Sequence, residues 1–307
     1  MKTIIGLGLH RPMTAAELAP LREFHPLQHD PDDVVSTATV SGIPGAISRH
    51  VASAEACLSV GIAELHQYAG ISGGHKGAAV GCGGRRTIAA LHHRDRVCAP
   101  GVEIGRLSGN PFREAIDQLG AAAGCTHALL HVPPAGCWLF GDPVEVVHEA
   151  ARLLSPWRSV MSLAPGALVS IPPVKAVSLY QASRGATYLA LSPRPPLLEH
   201  ATIAIEASCP EGLGAEAGFV AALRGHRPPW SGLLSGSPPT GAGTQRAVML
   251  ALLARRFRLR VVHCVQAAAL RAVGIDAQEA PLGRLPDGWL AVPDPFHLLP
   301  QHRGEQP

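Results

Sequence analysis

The chain has 307 residues, of which 47% are apolar and 16% are charged, and its formal net charge is +3. This composition is typical of a globular protein with a real core, and it excludes an intrinsically disordered chain. The small charge does not indicate nucleic-acid binding, and no run of about 18 apolar residues predicts a membrane span.

The cysteines point to a reducing compartment. There are 7 of them, and no two form a C-x-x-C pair. An odd number without paired spacing is typical of reduced thiols, not of a disulfide framework or a zinc knuckle. We therefore expect a cytoplasmic protein.

The N-terminal segment begins with a short predicted strand over residues 2–8, KTIIGLG. Thr14 and Glu17 follow as a T-x-x-E capping box, which predicts a helix over residues 15–24. His10 lies between the two elements, just past the carboxyl end of the strand, where open α/β sheets place ligand groups. By position alone, His10 is more typical of a turn than of an active site.

The most informative stretch is residues 66–93, HQYAGISGGHKGAAVGCGGRRTIAALHH, which follows a predicted strand over 53–62. Its glycines require backbone conformations that other residues avoid, or a close approach by another group. The loop is not a Walker A motif, because His75 precedes Lys76, and it lacks the third glycine of a dinucleotide fingerprint. Composition alone leaves open whether Lys76 and the flanking histidines form a site or an ordinary turn.

The remainder of the chain alternates between strands and helices. Asn110 and Pro111 predict a helix start, and Gly124 predicts its end. The further predicted strands are 126–132, 137–142, 169–172, 202–208, 259–265 and 288–295, and the further helices are 143–154, 174–186, 215–224, 244–257 and 266–274. Such alternation implies parallel sheets with helices on both faces.

The pattern breaks near residues 155–166, where proline and glycine recur. We therefore predict an N-terminal α/β domain over 1–163 and a C-terminal α/β domain over 164–292. Residues 293–307 are predicted as a tail with a frayed end.

The stretch 66–93 and four further segments occur in the order seen in the nickel-pincer lactate racemase family of 2-hydroxy-acid racemases and epimerases, which they resemble. The four segments are GLHRPMTAAEL (8–18), SGNPFREAID (108–117), SLYQASRGA (178–186) and CPEGLG (209–214). The resemblance implies two α/β domains with mainly parallel sheets and an active-site cleft between them. It also implies an isomerase that racemises or epimerises a lactate-like 2-hydroxy acid.

Racemisation at a hydroxyl carbon needs two bases on opposite sides of the substrate and a hydride acceptor between them. Histidine suits the role of base, since its ordinary pKa lies near working pH. By the resemblance, His10 and His66 are the two catalytic bases. This assignment reverses the preference for a turn histidine at His10.

The resemblance also implies the cofactor. It is a nickel-pincer nucleotide, nickel(II) pyridinium-3-thioamide-5-thiocarboxylic acid mononucleotide, attached covalently to Lys76. His92 matches the histidine ligand of nickel, while His93 points elsewhere if residues 86–93 are helical. From the chemistry of glycine loops, Gly73 and Gly74 are expected to let the backbone approach the nucleotide phosphate.

Substrate contacts are expected in the second domain. Tyr180 and Gln181 match the family's Y-Q pair, and Arg184 stands where the family often has a lysine that faces the substrate carboxylate. Arginine can bind a carboxylate through two hydrogen bonds but does not replace lysine freely, so we expect an altered substrate preference. The alternative is that Arg184 is a surface residue of a helix. The expected partners are the hydroxy acid and the enzymes that make the cofactor.

One departure from the family concerns the start of the chain. Family members carry about a hundred further residues, the size of a small domain, before the HRP motif, including a D-x-T-R-P segment. The sequence therefore predicts a late start codon, a split gene or a shortened variant. It leaves open a family member that binds cofactor or hydroxy acid without turnover. A zinc hydrolase is a weaker alternative, because no H-E-x-x-H motif is present.

Overall fold

The computed structural model describes residues 1–235, 241 and 243–303, and the chain divides into two compact units. The first unit comprises Met1–Glu64, Tyr68–Val102 and Arg106–Leu154. The second comprises Leu65–Gln67, Glu103–Gly105 and Ser155–Pro307. The main change of unit falls after Leu154, beside the pattern break at 155–166. The domain bounds 1–163 and 164–292 themselves stay predictions.

Up to residue 154, the strands are β1 (Ile4–Ile5), β2 (Leu27–Gln28), β3 (Val34–Ser36), β4 (Ala46–Ser48), β5 (Cys57–Ile62), β6 (Leu65–His66), β7 (Gly70–Ile71), β8 (Cys125–Val132) and β9 (Cys137–Gly141). The α-helices are α1 (Ala15–Leu18), α2 (Arg49–Ala52), α3 (Arg85–Leu91), α4 (Arg94–Val97), α5 (Pro111–Ala122) and α6 (Pro143–Leu154). In this part of the chain, short strands and helices lie between the longer elements of the predicted strand–helix pattern.

Two helix starts in the first unit form as their sequences predict. The Thr14 side chain and Glu17 make the reciprocal bonds of a capping box at α1. The Asn110 side chain accepts hydrogen bonds from the backbone of Phe112 and Arg113 at 3.0 and 3.2 Å, and Pro111 occupies the first turn of α5. The predicted helix over 15–24 changes to a 3-10 helix at Ala19–Phe24, where Pro20 has no backbone N–H to donate.

The central sheet of the first unit has the strand order β5-β8-β9. β5 and β8 are parallel, and β9 pairs antiparallel with β8. α5 and α6 both contact β8, and the buried residues on this side include Ala128, Leu130 and Val132. The opposite face exposes large apolar side chains, namely Leu58, Val60, Ile62, Trp138 and Phe140.

In the second unit, the further strands are β10 (Trp157–Val160), β11 (Ala164–Ser170), β12 (Leu197–Glu206), β13 (Arg258–Val262), β14 (Asp276–Ala277), β15 (Leu290–Val292) and β16 (Leu299–His302). The further α-helices are α7 (Leu179–Ala190), α8 (Ala217–Gly225), α9 (Thr244–Ala254) and α10 (Ala267–Arg271). Five of the strands form one sheet in the order β14-β13-β12-β11-β15, and every pairing in it is parallel. The predicted fold class, α/β with mainly parallel sheets, is confirmed.

The short segments at 65–67 and 103–105 are packed parts of the second unit. The backbone N–H of Leu65 donates to the carbonyl of Phe296 at 2.7 Å, and both side chains are buried. A Cβ at Gly105 would lie 2.5 Å from the ring of Trp157. These contacts explain why stretches distant in sequence belong to one compact unit.

The end of the chain differs from the predicted tail at 293–307. β16 pairs in parallel with β10, from Leu299 opposite Trp157 to His302 opposite Val160. Phe296 is buried beneath Tyr188 and Lys175, because its ring is the only large apolar group that the PDPF turn offers. Residues 304–307, which contain most of the predicted frayed end, lie outside the described residues. Within the described part, no helix is long and apolar enough to cross a bilayer.

Candidate cofactor loop and histidine site

The glycines at the start of the predicted loop are required by packing. Gly73 and Gly74 have positive φ angles of 105° and 60°. A Cβ at Gly73 would lie 2.5 Å from the side chain of Leu130, and one at Gly74 would lie 2.5 Å from the carbonyl oxygen of Pro143. The two glycines therefore let the loop pack closely on β8 and on the start of α6. Their predicted contact with a nucleotide phosphate stays a prediction.

A buried charged network lies under the loop. His75 is only 5% exposed, and its ring bridges the Asp117 carboxylate and the Cys125 carbonyl, each at 3.1 Å. Arg113, one helical turn before Asp117, donates to both carboxylate oxygens at 2.9 and 2.6 Å. Burial opposes ionisation of Asp117, but the hydrogen bonds from His75 and Arg113 outweigh it and lower the pKa of the carboxyl.

The network reaches the loop backbone as well as its side chains. The guanidinium of Arg113, which is 3% exposed, also donates to the carbonyls of Ile71 and Gly73 at 3.4 and 3.3 Å. One arginine thus ties α5 to the segment that leads into Lys76. Buried charges are tolerated only with such partners, since an unpaired charge in a protein interior is costly.

Lys76 lies at the start of a single π-helical turn, Gly77–Gly81. Its backbone N–H donates to the carbonyl of Gly73 at 3.3 Å, and its side chain is partly exposed while the neighbouring His75 is buried. A side chain at Gly77 would collide with Ser59 of β5. Single π turns are frequent at functional sites, and this one presents the lysine at the surface of the first unit.

His10 is anchored to the end of the same turn. The backbone N–H of Gly8 donates to the carbonyl of Gly81 at 2.8 Å, and the Cα of Gly81 lies 3.0 Å from where a Cβ of Gly6 would be. His10 itself is exposed, in a bend whose backbone N–H donates to Leu7 at 3.0 Å. The structure therefore brings the segment of His10 and the loop of Lys76 together within the first unit.

His92 ends α3 and is held in a defined ring orientation. Its Nδ1–H donates to the Ile88 carbonyl at 2.9 Å, so in the neutral ring Nε2 is the nitrogen that carries the lone pair. The ring meets Tyr68 and Phe112 edge to face, at centroid distances of 5.8 and 5.4 Å. A backbone carbonyl on the far nitrogen is the usual support of a metal-binding histidine.

His93 differs from its neighbour in each of these respects. It is the N-cap of α4, and its Nδ1 accepts a hydrogen bond from the backbone N–H of Asp95 at 3.4 Å. Its side chain is exposed. The expectation that the two adjacent histidines point in different directions agrees with their separate helices.

The remaining predicted residues belong to the second unit. His66 lies in β6 and is half-buried. Tyr180 and Gln181 lie in the first turn of α7, where the Ser178 side chain caps the helix by accepting from the backbone of Gln181. The first unit thus carries His10, Lys76 and His92, and the second carries His66 and the three predicted substrate contacts.

Arg184 is not a simple surface residue of α7. Its Nε atom is buried and has no hydrogen-bond partner among the described residues. Burial raises the pKa of Tyr180, while the positive charges of Arg246 and Arg184 oppose that shift. Arg246, which is 4% exposed, donates to Thr187 at 3.0 Å. The positive charges of Arg184 and Arg246 therefore both act on the Tyr180 hydroxyl. Such an arrangement favours the binding of an anionic group.

Sequence reasoning missed several of these groups. The signal for Arg113 and Asp117 was their spacing of four along a helix, which places them on one face. Arg246 was concealed near the start of the apolar helix TQRAVMLALLARRF, which also contains Arg255 and Arg256. His29 is also buried, and its Nε2 lies 2.9 Å from the Gly83 carbonyl oxygen.

Two further features of the described residues bear on a metal or ligand site. Within residues 1–235, 241 and 243–303, no three His, Cys, Asp or Glu side chains are grouped closely enough to hold a metal ion. A cofactor that supplies the other donors itself needs one protein ligand, so this result is compatible with His92. A cavity of about 260 Å³ in the first unit lies among Leu91, Phe112, Ala115 and Arg96, and no predicted site residue lines it.

Residues 1–105 match the family described as the lactate racemase N-terminal domain. About the first third of the chain is thus similar to that domain. The match contains His10, His66, Gly73, Gly74, Lys76 and His92, and it confirms the resemblance read from the motifs.

The lactate racemase of Lactiplantibacillus plantarum is 28% identical over 124 residues. That alignment covers 37% of this chain and 29% of the curated lactate racemase, so the chain matches less than a third of its length. This match thus supports the similarity to the family, and it does not extend to the details of the reaction.

Solved structures extend the likeness of fold over nearly the whole chain. The lactate racemase apoprotein of Thermoanaerobacterium thermosaccharolyticum superimposes with a TM-score of 0.82 and 20% identity, covering 98% of this chain and 78% of that one. A Thermotoga maritima protein gives a TM-score of 0.73 and 14% identity, covering 98% and 86%. At these identities the two structures establish the α/β fold, including that of the part beyond the lactate racemase N-terminal domain.

Proposed function

We propose that the protein is a nickel-pincer-nucleotide-dependent racemase or epimerase of a 2-hydroxy acid. The observation that carries the proposal is the ring of His92. Its Nδ1–H donates to the Ile88 carbonyl, which leaves Nε2 as the nitrogen that can bind a metal. His92 and Lys76 both fall in the part of the chain that matches the lactate racemase N-terminal domain.

The residues of the first unit fit the cofactor. Lys76 would hold it through a thioamide, and His92 would supply one nitrogen to nickel, a metal that imidazole suits. When bound, the cofactor supplies the acceptor and donor of hydride at the substrate's hydroxyl carbon. Arg113 and His75 keep the loop backbone in place, so that the lysine is presented from a fixed turn.

The two proposed bases act on the substrate hydroxyl. One histidine accepts the hydroxyl proton as the substrate is oxidised, and the other returns a proton to the oxygen on the opposite face. His10 and His66 are assigned these roles because histidine exchanges protons near neutral pH. Each proton moves to or from a ring nitrogen, and water need not enter the step.

The proposed carboxylate contact lies on α7. Arg184 has a buried Nε–H without an acceptor among the described residues, and such a donor gains a hydrogen bond when an anion binds. Tyr180 and Gln181 precede it by one turn and complete the predicted substrate contacts. Arginine in place of lysine supports a preference for a different hydroxy acid from that of family members with lysine.

The test is production of the protein together with the enzymes that make the cofactor, followed by intact-protein mass spectrometry. We expect an adduct of the mass of the nickel-free or nickel-loaded nucleotide, and its absence in Lys76→Ala. Lys175→Ala is a matched control, since this lysine lies 3.9 Å over the Phe296 ring in the second unit. An unmodified wild-type mass would contradict the assignment of Lys76.

Activity is measured separately, with a panel of D- and L-2-hydroxy acids and chiral chromatography. Interconversion of one pair would support the racemase proposal. An adduct on Lys76 without interconversion of any acid would instead favour a family member that binds the cofactor without turnover.

A further inference from the structure

Two cysteines face each other behind the loop of Lys76. Cys57 opens β5, Cys125 opens β8, and the two residues are partners in the parallel register. Neighbouring strands lie about 4.8 Å apart, which is within the range of Cα separations, about 4.4–6.8 Å, that a disulfide can bridge. Both are free thiols; Cys125 is 2% exposed, and Cys57 is only partly buried.

The Cys125 thiol donates to the His127 carbonyl at 3.7 Å and lies beside the Cys57 thiol, and the two thiols are chemically unequal. The Cys125 S–H lowers the pKa of Cys57 to about 7, against the effect of burial and with help from His75. The contact with Cys57 raises the pKa of Cys125. Cys82, the third thiol of this cluster, is buried, and burial raises its pKa to about 12. Cys57 is therefore the nucleophile of the group at neutral pH.

We infer that Cys57 and Cys125 form a peroxide-reactive dithiol, in which Cys57 is the attacking thiol and Cys125 the resolving thiol. The inference rests on the register pairing, the partial exposure of one partner and the complete burial of the other. It is independent of the proposed racemase activity, because neither thiol belongs to the residues assigned to cofactor, metal or substrate.

The chemistry balances with hydrogen peroxide as the oxidant. The Cys57 thiolate attacks one peroxide oxygen, the S–O bond forms, the O–O bond breaks, and the departing hydroxide becomes water on taking up a proton. Cys125 then attacks the Cys57 sulfur; the S–S bond forms, the S–O bond breaks, and the leaving hydroxide takes the Cys125 proton. Two thiols lose two electrons in all, and one peroxide is reduced to two waters.

The position of the dithiol gives its oxidation a local consequence. The backbone carbonyl of Cys125 accepts the hydrogen bond from Nε2 of His75 at 3.1 Å, and His75 directly precedes Lys76. Ser59, two residues after Cys57, lies under Gly77 on the other side of the lysine. A bond between Cys57 and Cys125 therefore constrains the two strands on which the lysine loop rests.

The second unit holds a natural control. Cys209 and Cys264 also hydrogen-bond to each other, but both are fully buried, and burial raises the pKa of each thiol. A pair that is close but inaccessible and protonated should resist peroxide. Comparing the two pairs therefore tests whether closeness of two thiols alone is enough for oxidation.

The experiment uses the whole chain with Cys98→Ser, because Cys98 is exposed and would form bonds between molecules. The protein is treated with an equimolar amount of hydrogen peroxide near neutral pH, then alkylated and mapped by peptide mass spectrometry. We expect a Cys57–Cys125 disulfide that dithiothreitol reverses, and no Cys209–Cys264 disulfide. Equal oxidation of the two pairs, or no oxidation of Cys57, would overturn the inference.

Two substitutions at the resolving position test the contact between the thiols as well as the disulfide. Cys125→Ser keeps a donor beside the Cys57 sulfur but cannot form the disulfide, so a sulfenic acid that dimedone traps should accumulate on Cys57. Cys125→Ala removes the donor, and alkylation of Cys57 by iodoacetamide at neutral pH should slow several-fold relative to Cys125→Ser. Equal alkylation rates in the two folded variants would refute the role of Cys125.

Discussion

The carboxylate of Asp117 offers the sharpest test of what holds the lysine loop. It receives three hydrogen bonds, from His75 at 3.1 Å and from Arg113 at 2.9 and 2.6 Å. The substitution Asp117→Asn keeps the size of the side chain but removes its charge. It leaves the buried arginine, 3% exposed, without a counterion.

The expected cost follows from the burial of Arg113 and His75, while Asp117 itself keeps 19% of its side chain exposed. Breaking a buried ion pair by removing one partner costs about 3–5 kcal/mol. Because the introduced asparagine would still offer one acceptor oxygen, we expect about 3 kcal/mol, at the lower end of that range. A loss of that size raises the population of locally opened molecules about a hundredfold.

Hydrogen exchange measured by peptide mass spectrometry can localise this loss. Peptides from residues 70–84 and 111–124 should exchange about a hundredfold faster in Asp117→Asn, while peptides from β11 and β12 serve as internal references. Asp32→Asn is the matched control, since Asp32 also pairs with an arginine, Arg85, at 2.6 Å, but its side chain is 63% exposed. That variant should exchange like the wild type.

The same variant makes a prediction about pH. The folded-state pKa of Asp117 lies below its ordinary value of 3.8. Its contribution to stability is therefore fully present above about pH 4 and is lost as the pH falls through the lower, folded-state value. Wild-type exchange in residues 70–84 should accelerate in this acid range more than that of Asp117→Asn. If Asp117→Asn and Asp32→Asn gave the same exchange rates and the same acid response, the network of His75, Arg113 and Asp117 would not hold the loop.

Further predictions concern the histidines, all in protein made with the cofactor enzymes. His92→Ala should lose nickel by metal analysis, whereas His93→Ala should retain it; equal nickel in both would count against His92. His10→Asn and His66→Asn should each retain nickel but lose about 10²–10⁴-fold in interconversion in both directions, because every cycle uses one base to remove and one to return the hydroxyl proton. A deuterium label at the substrate's hydroxyl carbon should stay on carbon, and rapid exchange of that label with water would contradict the hydride route.

Local rules accounted for much of the fold. The capping box at Thr14 and the N-cap at Asn110 depend on residues within three positions, so the sequence alone predicts them. The helix 143–154 begins and ends where its apolar period does. The parallel sheets followed from strand–helix alternation, which constrains topology without knowledge of any contact.

Contacts between distant residues were beyond such rules. His75 meets Asp117 and Cys125 across more than forty positions, and its sequence context, a lysine and glycines, suggests a surface loop. β16 pairs with β10 although its sequence, LPQH, has no strand character of its own. The motifs of the site were recognisable by family resemblance, but the ring orientation of His92 depends on a helix end that spacing does not define.

The interleaved composition of the two units determines how the protein can be cut. A fragment beginning at Ser155 would lack Leu65, whose backbone bonds to Phe296, and Gly105, which packs on Trp157. Such a fragment should be insoluble or partly unfolded when expressed alone. A peptide ending after residue 154 would in turn carry two stretches that belong to the missing half. Mixing the two pieces should recover folded material where each alone does not, so a split between Leu154 and Ser155 makes the chain a complementation pair.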